Sequence, residues 1–427
     1  MRRTHFTKRT AITLVLLPAL FCLPLVGATI PGARPEEVGL SRDRLQRIHE
    51  TIQRHMDAGE ISGAVTLVAR RGRVAHFEAH GMMDIATKKP MSRDAIFRLA
   101  SMSKPVTGAA VMMLIEEGKV RLTDPVSKFT PEFKGMKVAV PKESSAGPAR
   151  AGSLVPQALT VPANREITIR DLLTHTSGMF RGALTLSASG SAQVDRKPTD
   201  SLADYVPRLG ALPLAFQPGT RWSYSAGDGF DTLGRIVEIA SGQSFDEFLR
   251  RRMFEPLGMK DTFFWAPDDR RSRVPSVYTR TAQGLVKEET QDRVLSRTFS
   301  SGSGGLMSTA EDFLQFCQML LDGGQLNGKR LLGPRSVDLM ASVHVPDTVE
   351  GRTPGQGFGL SVRVITDPVA AGSTLSKGSY GWGGVFGTRY WIDPKTKIVG
   401  ILMMQNGIYE EVIRGDFEDA VMQAVVE

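Results

Sequence analysis

Apolar residues along this chain follow two periods. SRDRLQRIHETIQRHMDAG, residues 41 to 59, sets Leu45, Ile48 and Ile52 at helical spacing and predicts an amphipathic helix. GAVTLVARRGRVAHFEAHG, 63 to 81, alternates on both sides of Arg71-Gly72 and predicts an antiparallel hairpin. From Ser101 to Glu117 the apolar positions wrap most of the way round before Gly118, the pattern of a buried central helix with a glycine stop. VRLTDPVSKFTPEF reads as a loop with a short helix, and residues 141 to 162, rich in Pro, Ala, Gly and Ser, as a surface loop or insertion. A mostly helical middle follows, with IRDLLTHTSG and DGFDTLGRIVEIASGQSFDEFLRRRMFEPLGM. SYGWGGVFGTRYWIDPKTKIVGILMMQN then alternates apolar and polar residues around Asp393-Pro394 as strands, and DFEDAVMQAVV closes as a helix.

Strands at both ends around a helical middle predict an α/β plus α architecture. An antiparallel sheet flanked by helices is built from residues 29–100 and 296–427, and a mostly helical domain, 101–295, is inserted between them. The cleft between the two is the natural place for a site. No internal repeat is present.

Composition adds limits. With 427 residues, 41% hydrophobic and 23% charged, the chain has enough apolar material for one large core or two moderate ones. Residues 1–28 differ from the rest: a basic MRRTHFTKRT, an apolar run broken by Pro18 and Pro24, and the small residues Val26-Gly27-Ala28 describe a cleavable signal peptide. The prolines and the short run argue against a retained span, and Phe21 before Cys22 argues against a lipoprotein signal. The expectation is a bacterial protein exported to the periplasm or secreted, with no stable membrane insertion after cleavage. Arg2, Arg3, Lys8 and Arg9 carry four of the formal +8, leaving a mildly basic mature chain without a basic aromatic stripe; nucleic acid is therefore not an expected partner. Beyond the leader Cys317 is the lone cysteine, so no intrachain disulfide is available, and its place in EDFLQFCQMLLDGG makes it a small core residue.

The chemistry centres on FRLASMSKPVTG, 97 to 108. Ser101 and Lys104 stand three apart, and Pro105, tolerated only in a first turn, sets the helix start close to Ser101. A serine there sits near free N–H groups and the positive end of the helix. It becomes a nucleophile when a base takes its proton, a task open to a neutral lysine. A helix cap followed by a surface lysine explains the same two residues.

The wider sequence resembles the serine β-lactamase and penicillin-binding superfamily, and within it the class C β-lactamase-like carboxylesterases, often called family VIII esterases. RLASMSKPVTGAAVMMLIEEGKVRLTDPVSKFTPEF, ITIRDLLTHTSGM, QPGTRWSYS, LGRIVEIASGQSFDEFLRRRMFEPLGMKDT, GGLMSTAEDFLQF and GWGGVFGTRYWIDP carry the resemblance in order over residues 35 to 426. It implies that Ser101 is the acylated nucleophile, Lys104 its proton acceptor and Tyr224 the tyrosine of a second motif. Trp382-Gly383-Gly384 matches the third motif, and the implied oxyanion hole is the N–H of Ser101 with that of Val385. The implied activity is a serine hydrolase without cofactor or metal, taking a small ester or, as the alternative, a β-lactam or a D-amino-acid peptide; a non-catalytic binding module is a further class.

Two departures favour esters. Position 226 is Ala226 where the lactamase second motif has asparagine, with Asp228 nearby, and the third motif lacks the lysine that meets a substrate carboxylate. Lys377 is a nearby replacement or a solvated loop lysine. His175 reads as a hydrogen-bonded turn residue rather than a triad member, and no Gly-x-Ser-x-Gly elbow is present. SSGSGGLMST, 300 to 309, reads as a turn lining the cleft. His76 and His80 match no metal spacing and read as strand-surface residues.

Overall fold

A computed structural model describes residues 30–142, 158–189, 194–289, 297–407 and 411–427; the expected signal peptide lies outside them. Helix α1 spans Arg42–Asp57, with Ser41 Oγ accepting from the Arg44 N–H as its cap. Strands β1 (Gly63–Arg70) and β2 (Arg73–Asp84) form the expected hairpin, and β3 is the short pair Lys89–Pro90. Far along the chain come β4 (Gln356–Phe358), β5 (Arg363–Ile365), β6 (Tyr380–Gly383), β7 (Arg389–Asp393) and β8 (Ile398–Met404). All eight join one antiparallel sheet in the order β4-β5-β6-β7-β8-β1-β2-β3. The join between the chain's two ends is β1 against β8, with Val65 opposite Met403 and Leu67 opposite Ile401.

Both faces of this sheet are covered. Leu45, Ile48 and Ile52 of α1 meet Ala64, Val68, Trp391 and Leu402 on one face, together with Phe417 and Val421 of the last helix. Val65, Leu67, Val399, Ile401 and Met403 point the other way, into the core that holds Phe313, Phe316 and the buried Cys317. The expected apolar–polar alternation of the last strands is corrected by this arrangement: every residue of β7 and β8 is buried, because these central strands have a helical layer on each side. The same layering corrects the surface reading of His76 and His80. The β2 face they occupy lies under α1, leaving His80 only 3% exposed and His76 half-buried.

Helix α2, Ser103–Glu116, is the expected buried helix, with twelve residues from Ser103 to Leu114 all buried. Helix α3, Asp228–Ser241, packs against it. Between Ser101 and residue 295 the described elements are helices apart from two hairpins. One of these, Lys137–Pro141 with Ala158–Pro162, falls in part where a loop is expected. Val138, Val140, Leu159 and Val161 supply the alternation that pairs its strands; residues 143–157 lie outside the described part. Among the described residues no helix is long and apolar enough to cross a membrane.

Candidate active site

The chain approaches Ser101 along a laced path. Phe97–Arg98 pairs with Met307–Ser308, and the Leu99 N–H donates to Leu306 O at 2.9 Å. A 3-10 turn, Ala100–Met102, then leads into α2. Ala100 has φ of +46°, a left-handed conformation that a side chain with a Cβ adopts at a cost of about 1–3 kcal/mol. Such strain is held in place by surrounding contacts, and here it turns the chain so that Ser101 stands at the head of α2. Pro105 is the third residue of that helix, where its missing N–H breaks no helical bond.

Lys104 is fully buried, yet each direction at its nitrogen has an acceptor. Nζ donates to Ala226 O and Ser303 O, both at 2.8 Å, and to Ser101 Oγ at 3.2 Å. Two backbone carbonyls thus fix two hydrogens, and the remaining tetrahedral direction points at Ser101. That direction carries either an N–H or a lone pair without moving an atom, so the group is placed to receive a proton from Ser101 and to return it. Tyr224 is the second group there, its hydroxyl donating to Ser101 Oγ at 2.6 Å. Lys104 Nζ makes no hydrogen bond to the phenol oxygen. Instead Nζ lies over the ring face, 5.0 Å from the centroid, and the two groups meet only through Ser101.

Segment 300 to 309 is the strap beneath this arrangement. Besides the Ser303 carbonyl, it contributes the Leu306 N–H to Ser103 Oγ and the Ser301 hydroxyl to Asp231 Oδ1 at 2.7 Å. Asp231, on α3, is buried, and burial raises its carboxyl above the usual range against the pull of Ser301, the Ser303 N–H and the Lys104 charge. Asp228, in contrast, forms an ion pair with Arg181 at 2.8 Å and accepts from Tyr205 Oη at 2.8 Å, so it takes no part at Ser101.

Trp382, Gly383 and Gly384 bring the edge of β6 to the site. A Cβ on Gly384 would stand 2.2 Å from Leu99 O, so only glycine lets this strand end lie against the turn before Ser101. Gly384 N–H is engaged by Thr388 O at 2.8 Å, whereas the N–H groups of Ser101 and Val385 make no turn or loop hydrogen bond among the described residues. Arg414 holds the loop from behind through the carbonyls of Gly384, Gly387 and Thr388.

His175 occupies the expected turn, at φ +58°, and is buried. Its carbonyl accepts from the Ser223 N–H at 3.0 Å and its Nδ1 from the Ser225 N–H at 3.2 Å, so it brackets Tyr224. Burial, then the charges of Lys104 and Arg352, push its pKa well down. Its ring packs 4.8 Å from that of Tyr224 and 5.3 Å from that of Phe358. It touches no atom of Ser101 and is a positioning residue.

Ser101, Tyr224, Trp382, Gly383, Gly384 and Val385 all line one cleft of about 570 Å³, within the range of small-molecule sites. Lys377 does not line it and is exposed. Sequence reasoning misses four arginines in its wall: Arg352, Arg363, Arg389 and Arg414. Arg352 stacks over Trp222, 4.4 Å from the ring centroid, and donates to the Gln356 and Gly357 carbonyls; burial lowers its pKa to about 10. Arg363 and Arg389 share Glu418. The cleft therefore has positive charge although the third-motif lysine is missing, which corrects the argument from that absence alone. Arg352 lies in a loop, Arg363 and Arg389 on β5 and β7 and Arg414 on the last helix, so no shared spacing marks them.

The Beta-lactamase family model matches residues 48–418. Protein Rv1367c of Mycobacterium tuberculosis is 36% identical over 369 residues, 83% of this chain and 88% of its own length. Esterase EstB of Burkholderia gladioli is 31% identical over 372 residues, 82% of this chain and 86% of its own. Among solved structures, EstCE1, described as a hydrolase with promiscuous acyltransferase activity, superposes with a TM-score of 0.73 at 28% identity, covering 89% of this chain and 99% of its own. The sheet with its flanking helices is thus the β-lactamase/transpeptidase-like fold.

Proposed function

Because the chain belongs to the Beta-lactamase family, within the serine β-lactamase and penicillin-binding superfamily, we propose that it is a serine hydrolase acting through an acyl-enzyme on Ser101, and a carboxylesterase for small short-chain esters. The observation that carries this is the convergence of Lys104 Nζ and Tyr224 Oη on one oxygen, Ser101 Oγ, at 3.2 and 2.6 Å.

Ser101 Oγ attacks the ester carbonyl carbon as its proton passes to the lone pair of Lys104 Nζ in its neutral form, while the Tyr224 hydroxyl holds the serine oxygen in place. The carbonyl oxygen, now negative, is received by the N–H groups of Ser101 and Val385. The same acid–base pair hands the proton to the leaving alkoxide, and the C–O bond to the alcohol breaks. Water then repeats the sequence on the acyl-enzyme and frees Ser101. No step needs a cofactor. The relative named as esterase EstB supports the ester reading, as does Ala226 in place of the lactamase asparagine. The basic-then-apolar leader supports export.

A second reading, a β-lactamase or D-amino-acid-specific peptidase, is favoured by Arg352 and the other cleft arginines, which suit a substrate carboxylate. Labelling with a serine-directed phosphonate followed by mass mapping tests the shared part: modification at a residue other than Ser101, or an active Ser101→Ala enzyme, rejects it. Rates on p-nitrophenyl butyrate and nitrocefin separate the two readings. A nitrocefin rate equal to the ester rate rejects the esterase assignment.

A further inference from the structure

The α1 side of the sheet, opposite α2, holds a cluster that the hydrolytic chemistry does not use. Strand side chains alternate, so His76, Glu78 and His80 of β2 share a face, and Thr66 of β1, opposite Glu78 in register, joins them. Helix α1 covers this face and brings His49 over it. His49 Nδ1 lies 2.6 Å from Glu78 Oε1, and His80 Nδ1 lies 3.8 Å from the same oxygen. One ligand atom from each of the three falls within 4.8 Å of the other two.

His80 sets the character of the place. It is 3% exposed, and its Nδ1 has no hydrogen-bond partner. Its Nε2 lies 2.9 Å from Thr66 Oγ1, which lies 2.8 Å from His76 Nε2. A hydroxyl has one proton to give, so with both rings neutral at most one nitrogen accepts from Thr66 and at least one donates to it. When His80 Nε2–H is the donor, Nδ1 is a bare lone pair aimed towards a carboxylate, a buried electron pair that only a cation or a donor would satisfy. In metal sites the far nitrogen of a ligating histidine is held in this way by an oxygen, which fixes the tautomer and aims the near one.

We propose that His49, Glu78 and His80 form a divalent transition-metal site, with zinc the best match, in which Thr66 and His76 orient the buried ligand. Two imidazoles and one carboxylate suit zinc over magnesium or calcium, which prefer oxygen throughout. Bonds of about 2.0–2.2 Å in a tetrahedron place ligand atoms roughly 3.4 Å apart. The cluster reaches this by small rotations of His49 and Glu78, whose side chains are 42% and 34% exposed and therefore free to adjust. Their exposure also leaves the fourth position to water. Coordination would tie α1 to β2 independently of Ser101.

The test titrates chelator-stripped full-length protein with Zn²⁺ by calorimetry and with Co²⁺ by visible absorption. One equivalent is expected to bind, with affinity weakened roughly 10- to 100-fold in each of His49→Ala and Glu78→Gln. Both positions are partly exposed, and unchanged ester hydrolysis in both variants serves as the check on folding. Absence of saturable one-to-one binding overturns the proposal, leaving a His49–Glu78 hydrogen bond only. Undiminished binding in both variants also overturns it, since the ion then sits elsewhere.

Discussion

The Tyr224 hydroxyl lies closer to Ser101 Oγ, at 2.6 Å, than the Lys104 nitrogen does, at 3.2 Å. The phenol donates along this contact, so it holds the serine oxygen and is the acid placed to return a proton to the leaving alkoxide. Tyr224→Phe, which keeps the ring over Lys104, is expected to lower kcat on short-chain esters by about 10²–10⁴-fold with little change in melting temperature. Steady-state kinetics beside thermal unfolding checks this. A loss below threefold would move the proton to Lys104 alone.

His175 brackets Tyr224 without touching substrate. His175→Asn retains a side-chain acceptor for the Ser225 N–H and tolerates the left-handed backbone, whereas His175→Phe keeps the ring and loses the acceptor. The asparagine variant is expected to recover at least part of kcat relative to the phenylalanine variant, with KM nearly constant in both. Equal rates would mean that the ring alone positions Tyr224.

Arg352 separates substrates by charge. Arg352→Gln removes a cation from the cleft while the Trp222 and Phe358 walls remain. Turnover of a neutral ester is expected to change less than threefold, and that of an ester bearing a carboxylate to fall by roughly tenfold or more, as for a lost charged hydrogen bond of about 1.5–3 kcal/mol. Paired kcat/KM values for the two esters give the answer.

Asp312 gives stability a slope with pH. Burial, against hydrogen bonds from the Asp261 N–H and Thr262, raises its carboxyl to about 6, with the charges of Asp261 and Glu311 adding to the rise. Unfolded, the group titrates near 4, so between about pH 4 and 6 the folded chain holds a proton that the unfolded chain releases. This contribution therefore falls as pH rises through that window. Asp312→Asn keeps a neutral acceptor, and denaturant midpoints from pH 4 to 7 are expected to lose part of that decline.

The sequence was most informative where chemistry depends on residue type and on short spacing. Ser101, Lys104 and Pro105 mark the head of α2 because a proline and an i,i+3 pair have local meaning. Trp382-Gly383-Gly384 is legible only through its likeness to the family's third motif, and the structure supplies the reason for its glycine, since a Cβ on Gly384 would meet Leu99 O. Arg352 and Asp231 are not legible, since neither belongs to a local pattern and each gains its place from contacts across the fold. Periodicity also misjudged β2 and β8. Half-polar strands such as β2 are expected to meet water, but His80 is buried by a helix that precedes it in the chain, and a local window does not include that partner.

Ala226 has a further implication for how this site is inherited. Its part in holding Lys104 is performed by a carbonyl, an atom common to all twenty residues. Replacement at this position preserves the contact as long as the turn between Tyr224 and α3 keeps its path. Variation there would thus leave the hold on Lys104 intact while the exposed side chain is free to change. Position 226 can therefore change its side chain without dismantling the grip on the proton acceptor.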